Sequence, residues 1–162
     1  KLTVAYRGSD FCGWEDQRHH LYRKDSIKTN RNQTTNRQQS PSVQGTLVDI
    51  LDPIFGKKAT IDNSSNDTDT ETKFMPIEIK VAGRTDAGVS ALAQICRIRI
   101  WRSFLPGQDS IDGVENYVKE LVNKHTIRLR LGLRITNVDR VDDAFHPTFG
   151  ASCRAYAYLI DL

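Results

Sequence analysis

Between Gly83 and Val89 the chain reads Gly-Arg-Thr-Asp-Ala-Gly-Val, which sets a cation, a hydroxyl and a carboxylate between two glycines. Glycines at this spacing let the backbone turn tightly and let a ligand approach it closely. A carboxylate such as Asp86 acts as a nucleophile at a sugar anomeric carbon while it stays ionised, and a guanidinium two positions earlier, Arg84, favours the ionised form. Asp beside Gly is also ordinary turn chemistry, so spacing alone leaves both readings open. The three cysteines, Cys12, Cys96 and Cys153, lack the spacing of a metal site. They read as small packed hydrophobes or loop residues, and their odd number points to a reducing, intracellular setting.

The segments flanking this loop are periodic. Leu2, Val4 and Tyr6 alternate with Thr3, Ala5 and Arg7, which predicts a strand, and Gly8-Ser9-Asp10 follows as a turn. Val43, Leu47, Ile50, Leu51 and Ile54 recur at helical spacing behind Ser40-Pro41-Ser42. That pattern predicts a helix of about three turns, with Pro in its first turn and its end marked by Pro53 and Gly56. Ile77, Ile79 and Val81 predict a strand running into Gly83. Another is expected from Ile95 to Trp101, with Cys96, Ile98 and Ile100 on one face and Arg97 and Arg99 on the other. Ser110 caps a predicted second helix carrying Ile111, Val114, Val118, Leu121 and Val122. Leu129, Leu131, Leu133 and Ile135 then alternate with Arg128, Arg130, Gly132 and Arg134 as a strand, and a last strand is expected from Cys153 to Asp161.

The order is strand, helix, strand, strand, helix, strand, with one extra terminal strand. This is an α+β, ferredoxin-like split βαβ pattern, in which an antiparallel sheet carries its helices on one face. The other face, bearing the arginine rows, is expected to be open, and it suits either plain solvation or phosphate contacts.

With 162 residues, 38% of them apolar, the chain fits one domain, 1–162, with a thin core. A formal charge of +3 makes the surface mildly basic. No stretch approaches the roughly eighteen apolar residues of a membrane span, so no membrane association is expected. Residues 16–41 form a polar, basic tract and residues 62–73 an acidic Ser/Thr/Asn/Asp tract. Both are expected to be partly disordered surface insertions. A basic loop of the first kind suits a phosphate backbone as well as solvent.

The segment GRTDAGVSALAQ resembles the signature loop of the TruA family of tRNA pseudouridine synthases. Four further blocks fall in the family's order: AYRGSDFCGWEDQ, SVQGTL, DDAFHPTFGAS and CRAYAYLI. The resemblance implies that Asp86 is the catalytic aspartate and that Arg84, in the same loop as Gly83 and Thr85, helps hold the flipped nucleotide. Tyr156 matches the first tyrosine of a Tyr-x-Tyr pair that stacks near the uracil and is proposed to assist proton removal. Phe145 and His146 match the start of a Phe-His block and, with Gly83, Thr85 and Arg154, are candidates for substrate or RNA contact, although a lone His such as His146 reads best as a hydrogen-bonded structural residue. On a strand, Arg154, Tyr156 and Tyr158 would share one face, which also fits an aromatic core stripe.

The sequence departs from the family at several positions. Gly88-Val89-Ser90-Ala91 replaces the common Gly-Val-His-Ala, a variant similar to a eukaryotic branch that modifies the anticodon stem-loop. Arg7, Glu15 and Thr148 stand where Asp, Gln and Arg are usual, which bears on tRNA contacts more than on chemistry. The family's catalytic region also has a second, similar half, so the chain is expected to correspond to the first half and to be inactive alone.

The reaction implied is isomerisation of uridine to pseudouridine in tRNA, with no metal or organic cofactor. tRNA is the expected partner, together with a second copy in a homodimer, in the cytoplasm or nucleus. The alternatives are a non-catalytic RNA-binding module using a basic sheet face, and a domain used mainly for dimerisation.

Overall fold

The structure, a computed structural model, describes residues 1–16, 40–61, 71–75, 77–100 and 113–160. Its centre is a four-stranded antiparallel sheet built from β1 (Leu2–Tyr6), β4 (Glu78–Val81), β5 (Ala91–Arg99) and β6 (Leu133–Val138), in the order β4-β5-β1-β6. With α1 (Val43–Phe55) and α2 (Val114–Arg128) between strands, this is the expected split βαβ topology. A separate hairpin, β2 (Lys57–Ile61) with β3 (Glu71–Met75), follows α1. Residues 71–73, expected in the acidic surface insertion, belong instead to β3 and pair with β2.

The alternation in β1 does what its period requires. Leu2, Val4 and Tyr6 are buried, and they pack with Leu47, Leu51, Phe55, Val118, Val122, Leu133, Ile135 and Cys96 in one core between sheet and helices. Helix α1 begins where Ser42 accepts a hydrogen bond from the Gly45 N–H at 3.0 Å. Such a cap stabilises a helix by about 1 kcal/mol. Pro41 lies just outside the helix rather than in its first turn, and Pro53 sits inside the last turn, with Gly56 at the C-cap.

The sheet edges are covered from within the chain. The Asn123 side chain on α2 donates to the Ile135 carbonyl at 3.0 Å and accepts from its N–H at 2.8 Å, occupying the open side of β6. On β4, Asp52 accepts the Ile77 N–H at 2.7 Å and Thr148 donates to the Val81 carbonyl at 3.0 Å.

Four expectations are corrected. Helix α2 runs through Arg128, and Arg130 takes a left-handed turn at φ 56°, so neither residue lies on a strand. The helix starts at Val114 with Gly113 as N-cap, while the expected Ser110 cap and Ile111 lie outside the described residues. Strand β5 begins at Ala91, ahead of the expected Ile95, and the expected end at Trp101 lies outside the described residues. Residues 153–160, expected as a strand, form no ladder and are exposed, because neither sheet edge is offered to them. Most of the two expected insertions, 17–39 and 62–70, lies outside the described residues.

The second sheet face is not an open basic surface. Arg97 donates to the Asp143 and Phe145 carbonyls at 3.1 and 2.9 Å, so the chain after β6 crosses this face. Glu78 lies 3.6 Å from Arg99 and 3.1 Å from Lys80, and it stays ionised below the usual carboxylate range because Lys80 donates to it. Arg134 points its guanidinium at the Leu131 and Leu133 carbonyls and at Thr126.

Candidate functional site

Strand β1 delivers the chain into a second loop, residues 7–16, which packs backbone to backbone against the loop 82–90. The Tyr6 hydroxyl lies 2.8 Å from Thr85 Oγ1, and the Trp14 N–H donates to the Thr85 carbonyl at 3.0 Å. The Gly8 N–H donates to Ser90 Oγ at 2.9 Å. Gly8 must be glycine here, because a Cβ would fall inside the Gly88 carbonyl. Gly13 has φ +118°, and a Cβ on it would come within 3.1 Å of the Thr85 carbonyl. Two segments separated by more than seventy positions are thus held in direct register.

Each loop is also anchored from behind. Tyr6 stacks edge-on against Phe11, with ring centroids 6.1 Å apart, and lies 6.0 Å from Trp14. Burial raises the Tyr6 phenol above its ordinary pKa, with the Thr85 hydrogen bond opposing, so it remains protonated at neutral pH. The first N–H groups of α1, on Val43 and Gln44, donate to the Gly13 and Trp14 carbonyls at 3.0 and 2.9 Å. Asp10 accepts from Arg7 at 2.9 and 3.0 Å and from the Gly132 N–H at 2.7 Å. The Arg7 hydrogen bond first, and the Gly132 N–H second, hold the Asp10 carboxyl below the usual carboxylate range. On the other loop, Gln94 donates from Nε2 to the Gly83 carbonyl, and Ala82 N–H donates to Ile95 O at 2.8 Å.

Asp86 sits at the tip. Its carbonyl accepts the Val89 N–H at 3.2 Å, closing a turn in which Gly88 takes φ +81°. Its side chain is exposed and, among the described residues, makes no hydrogen bond or ion pair. A carboxylate on a braced loop with no internal partner is available to an incoming group. Arg84 does not turn toward it: its Nη1 lies 2.9 Å from Glu15 Oε2.

The remaining predicted residues divide. Arg154 reaches the loop, donating to the Ala82 carbonyl at 2.8 Å, and its Nε lies 3.6 Å from where a Gly83 Cβ would be. Tyr156, two residues on, is 74% exposed and Tyr158 86%, so neither forms a core stripe. Phe145 and His146 belong to the segment that crosses the sheet through Arg97. His146 Nδ1 accepts from the Thr148 and Phe149 N–H groups at 3.3 and 3.4 Å, and its ring lies 4.4 Å from Phe149. Among the described residues, no cluster of His, Cys, Asp or Glu side chains could hold a metal ion, and no helix is long and apolar enough to cross a membrane. Gly13 carried no role in the sequence, Gly8 and Asp10 read there only as part of a turn, and Ser90 only as a departure from the family. Their signal was their place inside two motif blocks that the fold brings together.

No protein-family model matches the chain. It is similar to proteins named tRNA pseudouridine synthase A. One from Nitrobacter winogradskyi is 30% identical over 160 residues, covering 99% of this chain and 44% of that protein. One from Ehrlichia chaffeensis is 29% identical over 161 residues, covering 99% and 46%, and one from Wolbachia pipientis is 27% identical with the same coverage. The chain spans less than half the length of these curated relatives.

Proposed function

We propose that this chain supplies the nucleophile-bearing half of a tRNA pseudouridine synthase cleft. One observation supports this reading most: Asp86, exposed and without a partner among the described residues, stands at the tip of a loop whose backbone is fixed on both sides. The relatives' names add the substrate and the reaction.

In this reading a uridine of tRNA is extruded into the cleft. Asp86 acts at C1′ as the C1′–N1 bond breaks, the uracil turns, and C5 bonds to C1′; the C5 proton leaves to solvent or a base, and the freed N1 takes up a proton in exchange. Reactant and product are isomers, so no oxidant or co-substrate is consumed. Arg84 leaves Glu15 to contact the nucleotide, Tyr156 stacks on the uracil, and Arg154 fixes the chain before Tyr156 to the base of the loop. Gly83 and Thr85 contribute backbone shape, Thr85 through its tie to Tyr6. Phe145 and His146 support the crossing segment rather than the reacting base.

Finer parts of the reading have separate support. Ser90, in place of the family's histidine, favours a target in the anticodon stem-loop. The exposed apolar run of Tyr156, Tyr158, Leu159 and Ile160 favours burial against further polypeptide, including a second copy in a homodimer. The compartment is that of the tRNA, cytoplasmic or nuclear.

The test is pseudouridine formation in unmodified tRNA transcripts, comparing this chain with a protein carrying it at the relatives' full length, each with and without Asp86→Ala. Conversion by the long protein that disappears with the substitution is the expected result. Conversion that survives it removes Asp86 from the chemistry, and tRNA binding without conversion in any form leaves an RNA-binding module.

A further inference from the structure

We infer that the turn between α2 and β6, carrying Arg128 and Arg130, is a contact surface for the phosphate backbone flanking the nucleotide that Asp86 serves. The inference rests on the RNA-modifying reading above and adds a site to it.

Three observations carry it. The first is position. Tyr6, the last residue of β1, pairs with Ala91, the first of β5, and with Leu133, the first of β6. The loop holding Asp86 and the α2–β6 turn therefore lie at the same end of the sheet. They are joined there by the intervening loop: the Arg7 N–H donates to the Gly132 carbonyl at 2.7 Å, Asp10 accepts the Gly132 N–H, and Gly8 abuts Gly88.

The second is charge. The arginines of the sheet face are committed within the chain, Arg97 to carbonyls, Arg99 to Glu78 and Arg134 to carbonyls and Thr126. Arg128 and Arg130 are both exposed, and among the described residues neither side chain has a hydrogen bond or ion pair. A basic helix terminus is stabilised by the carbonyl ends of the helix, but that effect leaves the guanidinium forks free for an anion.

The third is conformation. Arg130 is the only non-glycine with positive φ among the described residues, at a helix end where glycine is the favoured residue. A large cation held in that conformation, exposed at the sheet end that also carries the Asp86 loop, fits a phosphate ligand outside the chain.

The experiment is a salt titration of binding to an unmodified tRNA transcript by fluorescence anisotropy, with polyglutamate as a second polyanion. Arg128→Gln with Arg130→Gln is expected to weaken tRNA binding by roughly tenfold or more at 0.1 M salt and to reduce the slope of log affinity against log salt by about two. Arg130→Gly relieves the backbone and should melt no lower than the parent, yet bind tRNA more weakly, while Arg130→Lys retains most binding. Arg99→Gln, on the far face, should change neither affinity nor slope. Equal affinity and slope for parent and double variant overturn the inference while the RNA reading stands. Polyglutamate binding as tight as tRNA, with the same losses, overturns it in favour of an acidic protein partner. Failure to bind tRNA both by the parent chain and by a protein carrying it at the relatives' full length removes the RNA reading and the inference with it.

Discussion

Glu15 holds Arg84 at 2.9 Å, while the Asp86 carboxylate two residues away is left without a partner among the described residues. The guanidinium nearest in sequence to the candidate nucleophile is thus neutralised before any nucleotide arrives. The pair is solvated, with 69% of the Arg84 side chain and 40% of the Glu15 side chain exposed, so it contributes at most about 1 kcal/mol to stability. An RNA phosphate has to compete with Glu15 for Arg84. Glu15→Gln is expected to shift the urea midpoint little and to tighten tRNA binding about two- to fivefold, consistent with the release of a weak pair. Unchanged tRNA affinity in an anisotropy titration would show that Arg84 does not reach the RNA.

The close approach of Gly8 to Gly88 predicts a structural phenotype with a local readout. Gly8→Ala puts a methyl group into a backbone carbonyl that cannot rotate away, because Ser90 and Thr85 fix both sides of its turn. A loss of about 1–3 kcal/mol is expected on chemical denaturation. Amide hydrogen exchange should accelerate first at Trp14 and Val89, whose N–H groups close the two loops.

The Asp10 clamp predicts an acid limb. Its folded pKa is lowered by Arg7 and then by the Gly132 N–H. Its contribution is therefore complete above the unfolded carboxylate value of about 3.9 and is lost as pH falls through the lower folded value. Asp10→Asn should flatten the part of the stability profile below about pH 4. It should also make the parent's advantage largest at neutral pH, as thermal melts across pH 2–7 would reveal on a scale of roughly two decades around that carboxylate value.

An element is legible in the sequence where its pattern has one physical interpretation. The alternation at Leu2, Val4 and Tyr6 admits only a strand, and Ser42 ahead of Val43 and Leu47 admits only a helix start; both elements form where expected. From Thr126 to Leu133 the pattern is ambiguous. Leu129, Leu131 and Leu133 match a strand period, but Thr126, fully buried and bonded to the Val122 and Leu133 carbonyls, continues the helix face under a polar name. The same ambiguity covers Arg128 and Arg130, which fit a strand period by sequence but lie at the helix end and in the turn after it. The segment 153–160 failed for a different reason: its apolar alternation is genuine, but a strand exists only opposite another strand. The loop of Asp86 was legible as a motif, whereas its brace by Tyr6, Gly8 and Trp14 depends on contacts across the chain that no local pattern encodes.

The cysteines give a prediction that separates the core from the site. Burial pushes the Cys96 thiol up to about 12, while Cys153 is exposed and Cys12 half-buried. At pH 8 in native buffer, a chromogenic disulfide reagent should titrate Cys153 rapidly, Cys12 more slowly, and Cys96 only on unfolding. The sign for stability follows: a thiol raised in the folded state contributes fully below its unfolded pKa of about 8.5, and that contribution is lost as pH rises toward the folded value. Tyr6, also raised by burial, adds loss in the same direction above about pH 10. Alkaline destabilisation should therefore begin with Cys96 and steepen once Tyr6, the residue that touches Thr85, joins it, and Cys96→Ala should delay the limb without altering tRNA binding.

Asp86 should behave in the opposite way to these buried groups. It is exposed and bonded to nothing among the described residues through its side chain, so its removal takes no contact from the fold. Asp86→Ala is expected to change stability by less than about 0.5 kcal/mol, the range of ordinary surface substitutions. Pseudouridine formation by the full-length protein should nonetheless fall below detection. A carboxylate kept at the tip of a braced loop, with no structural work to do, has its only consequence in what it meets from outside. A large drop in melting temperature with Asp86→Ala would instead reveal a structural residue, and the assignment of the nucleophile would fall with it.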